Sequence, residues 1–215
     1  MNINRLSMII SRQLPPLLLS HFMQVGIAIS IAISLAIPLS ILLTRPKFKN
    51  LGQKIISIVN IGQAVPSLAM VAIFMPLMGI GFKPAITALV IYGLLPIVRN
   101  TLAGLISVDD DIKEAARGVG MSGIQVLFQI ELPLALPIIM AGIRTSTVIT
   151  VGTATLTTLI GAGGLGKLIF MGIELFKPEY LLVGSGATAL LAVTLDRILG
   201  ILESYFVNGS PEQHV

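Results

Sequence analysis

Long uncharged stretches alternate along the chain with short connections rich in Lys, Arg, Gly and Pro. A helix crosses the hydrocarbon core with about 20 apolar residues, and five segments fit that measure: 22–43, 55–78, 84–106, 134–160 and 180–202. The first carries no charge, and Pro46 within Thr44-Arg-Pro-Lys-Phe-Lys-Asn50 ends it, because proline cannot continue a helical ladder. Arg5 and Arg12 precede this run, but it is too long for a signal-peptide core and no A-x-A site follows, so no cleavage is expected. The second run contains Gln63-Ala-Val-Pro66-Ser and should kink there. Gly79-Ile-Gly-Phe-Lys-Pro84 reads as a tight turn. The third run passes Tyr92 and Pro96 and emerges near Arg99 and Asn100, and the fourth runs past Arg144. The prediction is a single all-α integral membrane domain over residues 1–215 with about five transmembrane helices.

Composition agrees and removes the main alternatives. Hydrophobic residues make up 54% of the chain and charged residues 11%, against about a quarter charged in soluble domains. A net charge of +4 raises the question of nucleic acid. The basic residues lie mainly in the short connections, which is the distribution of topology signals, so no nucleic-acid partner is expected. The chain has no cysteine, which excludes disulfides and thiolate metal sites. His21 and His214 are isolated, read as an interfacial and a tail residue, and no metal is expected. The acidic residues sit on loops or tails without an organised Ser, His or Cys around them, so no catalytic residue is assigned.

Lys and Arg in short loops favour the cytoplasmic side. The first connection carries Arg45, Lys47, Lys49 and Lys54, the third carries Lys113 and Arg117, and the second has only Lys83. Five spans then leave the N-terminus outside and the C-terminus in the cytoplasm.

The third connection is a charged island. Asp109, Asp110 and Asp111 precede Ile112-Lys-Glu-Ala-Ala-Arg117, placing acids where a helix N-terminus is partially positive. Ala115 and Ala116 favour helix and leave room for a close partner, while Gly118 and Gly120 can stop the helix and turn the chain. A compact cytoplasmic knob is predicted, after which Leu132-Pro133 and Pro137 restart a membrane helix.

Two polar features remain. Gly161-Ala-Gly-Gly-Leu-Gly-Lys167 matches the opening of a phosphate-binding loop, but Leu168 lacks the hydroxyl needed for Mg²⁺ and the segment follows an apolar helix. It reads instead as an outer loop in which Gly161, Gly163, Gly164 and Gly166 allow flexibility or close packing. In the fourth run Arg144 must avoid lipid, and Thr147, Thr150, Ala154, Thr157 and Thr158 share a helix face. Together with Arg144, that face suits either a translocation path for a polar solute or tight helix packing.

The island has the order E-A-A at Glu114-Ala115-Ala116, three residues, Gly120, nine residues, then Ile130-Glu-Leu132-Pro133. This resembles the ATPase-coupling loop of permeases in bacterial ABC importers. Val65-Pro-Ser-Leu-Ala69, Pro84-Ala-Ile-Thr87, Leu95-Pro-Ile-Val-Arg-Asn-Thr101, Ile138-Ile-Met-Ala-Gly-Ile-Arg-Thr145 and Gly161-Ala-Gly-Gly-Leu-Gly166 narrow the resemblance to permeases of osmoprotectant importers. Ala64 departs from it where a hydroxyl residue would precede the V-P-S step. The resemblance implies a multi-pass subunit of the bacterial cell membrane that is not an enzyme and moves glycine betaine, carnitine or choline. It also implies a second permease, identical or paralogous, two cytoplasmic ATPase subunits and an extracytoplasmic substrate-binding protein. ATP and Mg would sit on the ATPase, leaving no cofactor on this chain. The chain has no Trp and three Tyr, so a high-affinity aromatic cage is not expected here, and selectivity would reside in the binding protein. A methionine-type or other amino-acid permease stays open as an alternative, as does a scaffold or channel.

The orientation has a direct test in a cysteine-free chain. A cysteine placed at Asn50 or Ser122 should resist an impermeant thiol reagent in intact cells, whereas one at Phe82 should react. Labelling at Asn50 from outside reverses the topology.

Overall fold

A computed structural model describes residues 3–208, and nearly all of them are helical. The first apolar run forms α1 (Asn4–Thr44), which begins well before the expected segment 22–43. Pro15 and Pro16 fall in the first turn of its regular part, just after a π-helical turn at Ile9–Gln13, where missing N–H groups do least harm. Contacts far along the chain hold these early turns: Ile9 is buried with Leu168 and Tyr180, and Arg5 approaches Glu179 at 3.9 Å.

The second run is broken instead of kinked. It forms α2 (Lys49–Gln63) and α3 (Ser67–Met78), bent by 102° at the residues between them. Pro66 is extended, at φ −56° and ψ 133°; it has no N–H to carry the ladder, and its ring disfavours helical backbone just before it. The expected segment 55–78 is thus two helices at a steep angle. Gly79 and Gly81, at φ +77° and +110°, supply the predicted reversal, and the Gly81 N–H donates to the Ile160 carbonyl at 2.6 Å.

Beyond this turn come α4 (Phe82–Ile106) and the short α5 (Asp110–Gly118). α6 (Gly123–Ala154) starts earlier than the expected Leu134. Ser122 and Gln125 cap it reciprocally, each side chain accepting from the other's backbone N–H. A π turn at Leu127–Glu131 then leads into Pro133. α6 ends at Ala154, and Leu156–Ile160 is a 3₁₀ turn instead of the last turn of a span. α7 (Gly166–Glu174) and α8 (Pro178–Asn208) complete the described chain, α8 exceeding 180–202 at both ends. α1, α4, α6 and α8 are each long and apolar enough to cross a membrane, and the α2–α3 pair makes a fifth crossing if it counts as one.

α4 and α6 form the centre, with α1 against both. Ala32, Ala36, Ile97, Leu102, Ala135 and Ile139 are buried together there. Water cannot drive helices together inside a bilayer, so close van der Waals packing between small residues must do it. A Cβ on Gly142 would lie 2.6 Å from the Asn100 Cβ, and one on Gly104 would lie 3.1 Å from the Ala135 carbonyl oxygen. The Ser146 hydroxyl donates to the Gly93 carbonyl at 2.6 Å across the same seam. Outward faces remain apolar, with Leu19, Leu35, Leu190 and Val193 exposed.

The seam predicts unequal glycine tolerance. Gly142→Ala should lose about 1–3 kcal/mol by overpacking, while Gly26→Ala, with nothing within 4 Å, should be neutral or gain up to about 1 kcal/mol of helix propensity. Thermal unfolding in detergent distinguishes them, and an unchanged midpoint for Gly142→Ala contradicts the seam.

Candidate functional site

α5 projects from the bundle between α4 and α6, and its ends explain its shape. Asp109 caps it by accepting from the Asp111 N–H at 2.9 Å, and Asp110 pairs with Lys113 at 2.6 Å on the surface. At the other end the Gly120 N–H donates to the Arg117 carbonyl at 2.9 Å and the Met121 N–H to the Ala116 carbonyl at 3.1 Å. This paired closure needs a left-handed residue, and Gly120 provides it at φ +94°. Gly118 is still helical, so of the two predicted stop glycines only Gly120 makes the turn.

The two alanines do different jobs. Ala115 faces outward with Glu114, whereas Ala116 is only 7% exposed and packs into its own chain. The expectation that both present an open surface is corrected for Ala116. Ile112 and Val119 on α5 and at its end, the latter 82% exposed, and Ile124 and Phe128 at the start of α6 are also exposed. An apolar patch beside charged side chains is the composition of a docking face.

Ile130-Glu-Leu132-Pro133 anchors this end to the bundle. Ile130 and Leu132 are half-buried, Pro133 lies exposed in the first turn of the regular helix, and Glu131 between them is buried at 5% exposure. Arg45, just beyond α1, grips Glu131 through both guanidinium nitrogens: Nη1 to Oε1 at 3.3 Å and Nη2 to Oε2. The sequence reads Arg45 only as one of the basic residues of the first connection and does not link it to Glu131. The available signal was an acid in an otherwise apolar stretch, which needs a cation. A cavity of about 480 Å³ opens beside this pair, lined by Arg45, Asp110, Lys113, Glu114, Arg117 and Glu131 among others.

The glycine-rich segment lies beyond the far end of α6 and is latched instead of loose. Gly161, Gly163 and Gly164 have φ near +80°, and a Cβ on Gly166 would fall 1.9 Å from the Thr155 carbonyl oxygen. His21 holds this loop. Its Nδ1 accepts from the Leu165 N–H at 3.3 Å, which leaves Nε2 to donate to the Val151 carbonyl at 3.1 Å. Gln24 donates to the Ala162 carbonyl at 3.1 Å and accepts from Thr157 at 2.8 Å. His21 is therefore a fully buried clasp and not an interfacial residue, because it has the only kind of side chain here that can accept on one ring nitrogen while donating on the other. The Lys167 and Leu168 N–H groups donate to the Gly164 and Leu165 carbonyls, so this backbone is not free to cradle phosphate. His214 lies outside the described residues.

The polar stripe of α6 packs inside the subunit. Thr147, Thr150, Ala154 and Thr157 are buried, and Thr147 donates to the Ile143 carbonyl. These four do not line an open passage in this structure; small hydroxyls are there because α1 and α4 approach closely. Arg144 is also engaged. Its guanidinium donates to Asp196 at 2.9 and 3.1 Å and to Glu203 at 2.8 Å, clamping α6 to α8. Asp196 thus finds its partner across helices. An open cleft of about 400 Å³ lies elsewhere, between the α2–α3 break, α4 and α6.

The described residues form a helical bundle with four helices of crossing length, a bent pair that makes a fifth if counted as one, and a projecting loop helix. Residues 36–206 match the family described as binding-protein-dependent transport system inner membrane component, and the chain belongs to that family. It is 48% identical over 163 residues to the glycine betaine/carnitine/choline transport system permease protein OpuCB of Bacillus subtilis, covering 76% of this chain and 74% of that one. It is 50% identical over 159 residues to the osmoprotectant import permease protein OsmY of Salmonella typhimurium, covering 74% and 67%. Among solved structures, the inward-facing MetNI methionine ABC transporter matches with a TM-score of 0.75 at 20% identity, over 99% of this chain and 100% of that one. An amino acid ABC transporter with histidines gives 0.73 at 17% identity, over 94% and 96%. At those identities the likeness is one of fold. The chain is a permease subunit of the ABC importer type, in which the ATPase is a separate chain.

The Arg45–Glu131 pair yields a prediction about this end of the molecule. Arg45→Gln leaves a buried carboxylate without its cation and should lose about 1–3 kcal/mol. Adding Glu131→Gln should recover most of the loss in thermal unfolding, and a strictly additive double variant rules the pairing out.

Proposed function

We propose that this permease imports quaternary ammonium osmoprotectants, glycine betaine, carnitine or choline, in an ATP-driven complex. The observation that carries the substrate class is the 48% identity, over three quarters of the chain, to a permease named for those three solutes. The methionine-type alternative has only fold likeness at 20% identity behind it. In this reading the chain pairs with a second permease, identical or paralogous, and an extracytoplasmic binding protein delivers the solute. Two cytoplasmic ATPase subunits hold the ATP and Mg, so this chain needs no cofactor of its own. The N-terminus lies outside and the C-terminus in the cytoplasm, on the charge asymmetry of the connections.

Coupling runs through α5. Glu114, Ala115, Gly118 and Gly120 form the face or shape that an ATPase groove receives, Ala116 seats the helix on its own subunit, and Ile130, Leu132 and Pro133 join it to α6. Support comes from the geometry: a capped helix with an outward apolar patch and a buried ion pair at its base. The loop Gly161 to Gly166 sits on the outer side and, clasped by His21 and Gln24, closes that end of the subunit.

Uptake of labelled glycine betaine, carnitine, choline and methionine by cells carrying the permease with its ATPase and binding protein tests the substrate class. Transport of methionine alone rejects it. Ala115→Trp blocks the outward face, and Gly120→Val forces a β-branched residue into left-handed backbone at about 1–2 kcal/mol. Both should reduce uptake at least about tenfold, a loss of about 1.4 kcal/mol or more in coupling, with membrane insertion intact and ATPase copurification weakened. Parental uptake by both inserted variants removes α5 from the coupling path.

A further inference from the structure

The cleft between the α2–α3 break, α4 and α6 is walled partly by packing residues, Asn100 and Leu95 among them, and holds one arginine without an acid partner. It is lined by Gln63, Tyr92, Arg99, Asn100 and Thr145 with the apolar Leu95, Pro96 and Ile149. Arg99 is exposed, and its one hydrogen bond given by the structure is a long one, Nη1 to the Gln63 Oε1 at 3.4 Å. Among the described residues no carboxylate pairs with it. Arg144, by contrast, is matched by two acids. A guanidinium within a membrane helix requires water or an anion in front of it. Its planar fork is suited to a carboxylate, which it can bind through two parallel hydrogen bonds.

Tyr92 lies seven residues before Arg99, two turns along the same face of α4, so its ring and the guanidinium border one cleft. A tyrosine ring attracts a quaternary ammonium through cation–π interaction. The cleft also meets the helix break between Gln63 and Ser67. Non-helical backbone at membrane depth is tolerated where it borders protein or a water-filled cavity, and transporter ligand sites are built at such breaks.

We propose that this cleft is a transient binding site for a carboxylate-bearing quaternary ammonium zwitterion, Arg99 taking the carboxylate and Tyr92 the ammonium group. It rests on the osmoprotectant reading and adds a discrimination: a solute with a hydroxyl in place of the carboxylate, such as choline, gains nothing from Arg99. A site with one ring and one cation holds solute weakly, as a passage site must to release it.

The test measures binding of glycine betaine and of choline to the assembled permease–ATPase complex in nanodiscs, without the binding protein. The parent should prefer glycine betaine by about tenfold or more, a difference of about 1.4 kcal/mol. Arg99→Gln should abolish that preference while choline binding changes less than about twofold, Arg99→Lys should keep part of it, and Tyr92→Leu should weaken both solutes. The proposal is overturned if the parent binds no glycine betaine, if the preference survives Arg99→Gln, or if Arg99→Gln instead separates the permease subunits, which would make Arg99 an interface brace. Whole-cell uptake by the parent separates these failures from failure of the osmoprotectant reading, since uptake can be normal while this cleft is not the site.

Discussion

Inside a bilayer nothing outside the protein can satisfy a hydrogen-bonding group or a charge, and this constraint organises the subunit. Most of the charged and strongly polar side chains that the chain carries into the apolar bundle are placed against a partner, while the buried hydroxyls of Thr101 and Thr150 have none. His21 and Gln24 are consumed by the backbone of the glycine-rich loop. Arg144 is held between Asp196 and Glu203, and Glu131 by Arg45. Arg99, by contrast, faces an open cleft with only an amide oxygen beside it.

The same constraint removes the hydrophobic effect as a force between helices, so contact distance matters more than apolar area. Glycines at 93, 104 and 142 bring α4 and α6 together until hydroxyls and carbonyls touch across the seam. The seam holds α4 and α6 in close contact. α6 alone runs for 32 residues, about 48 Å at 1.5 Å per residue, from the base of α5 to the latch of the glycine-rich loop. The ion pair Arg45–Glu131 ties α1 to the base of α6, and Arg144 ties α8 to its middle.

Parts of the site were legible because they depend on local chemistry. Three aspartates, two alanines and a glycine at set spacing specify a capped helix and its stop without reference to the rest of the chain. The family followed from motif spacing. What the motif could not convey was orientation about the helix axis: Ala116 faces inward only because the bundle lies on that side. His21 was misread for a related reason. A lone histidine in an apolar run has no sequence-local partner, and its two acceptor and donor groups come from residues 130 and 144 positions away.

The sequence by itself determined that the chain is a multi-pass helical membrane protein, where most of its helices lie, that Pro66 interrupts the second run, and that α5 is a short capped helix. Those outcomes follow from hydropathy over single segments and from backbone chemistry within a turn. Tertiary structure decided the rest. Whether the proline gave a kink or a 102° break, whether the threonine stripe lined a passage or a seam, and which acid met which arginine all depend on what other helices bring into contact. The early extension of α1 shows the same limit: residues 4–21 are helical and packed, through Ile9 and Arg5, against Leu168, Glu179 and Tyr180 far along the chain. Local pattern gives each helix its length and polarity, but only packing assigns its faces, because a face has meaning only relative to a neighbour.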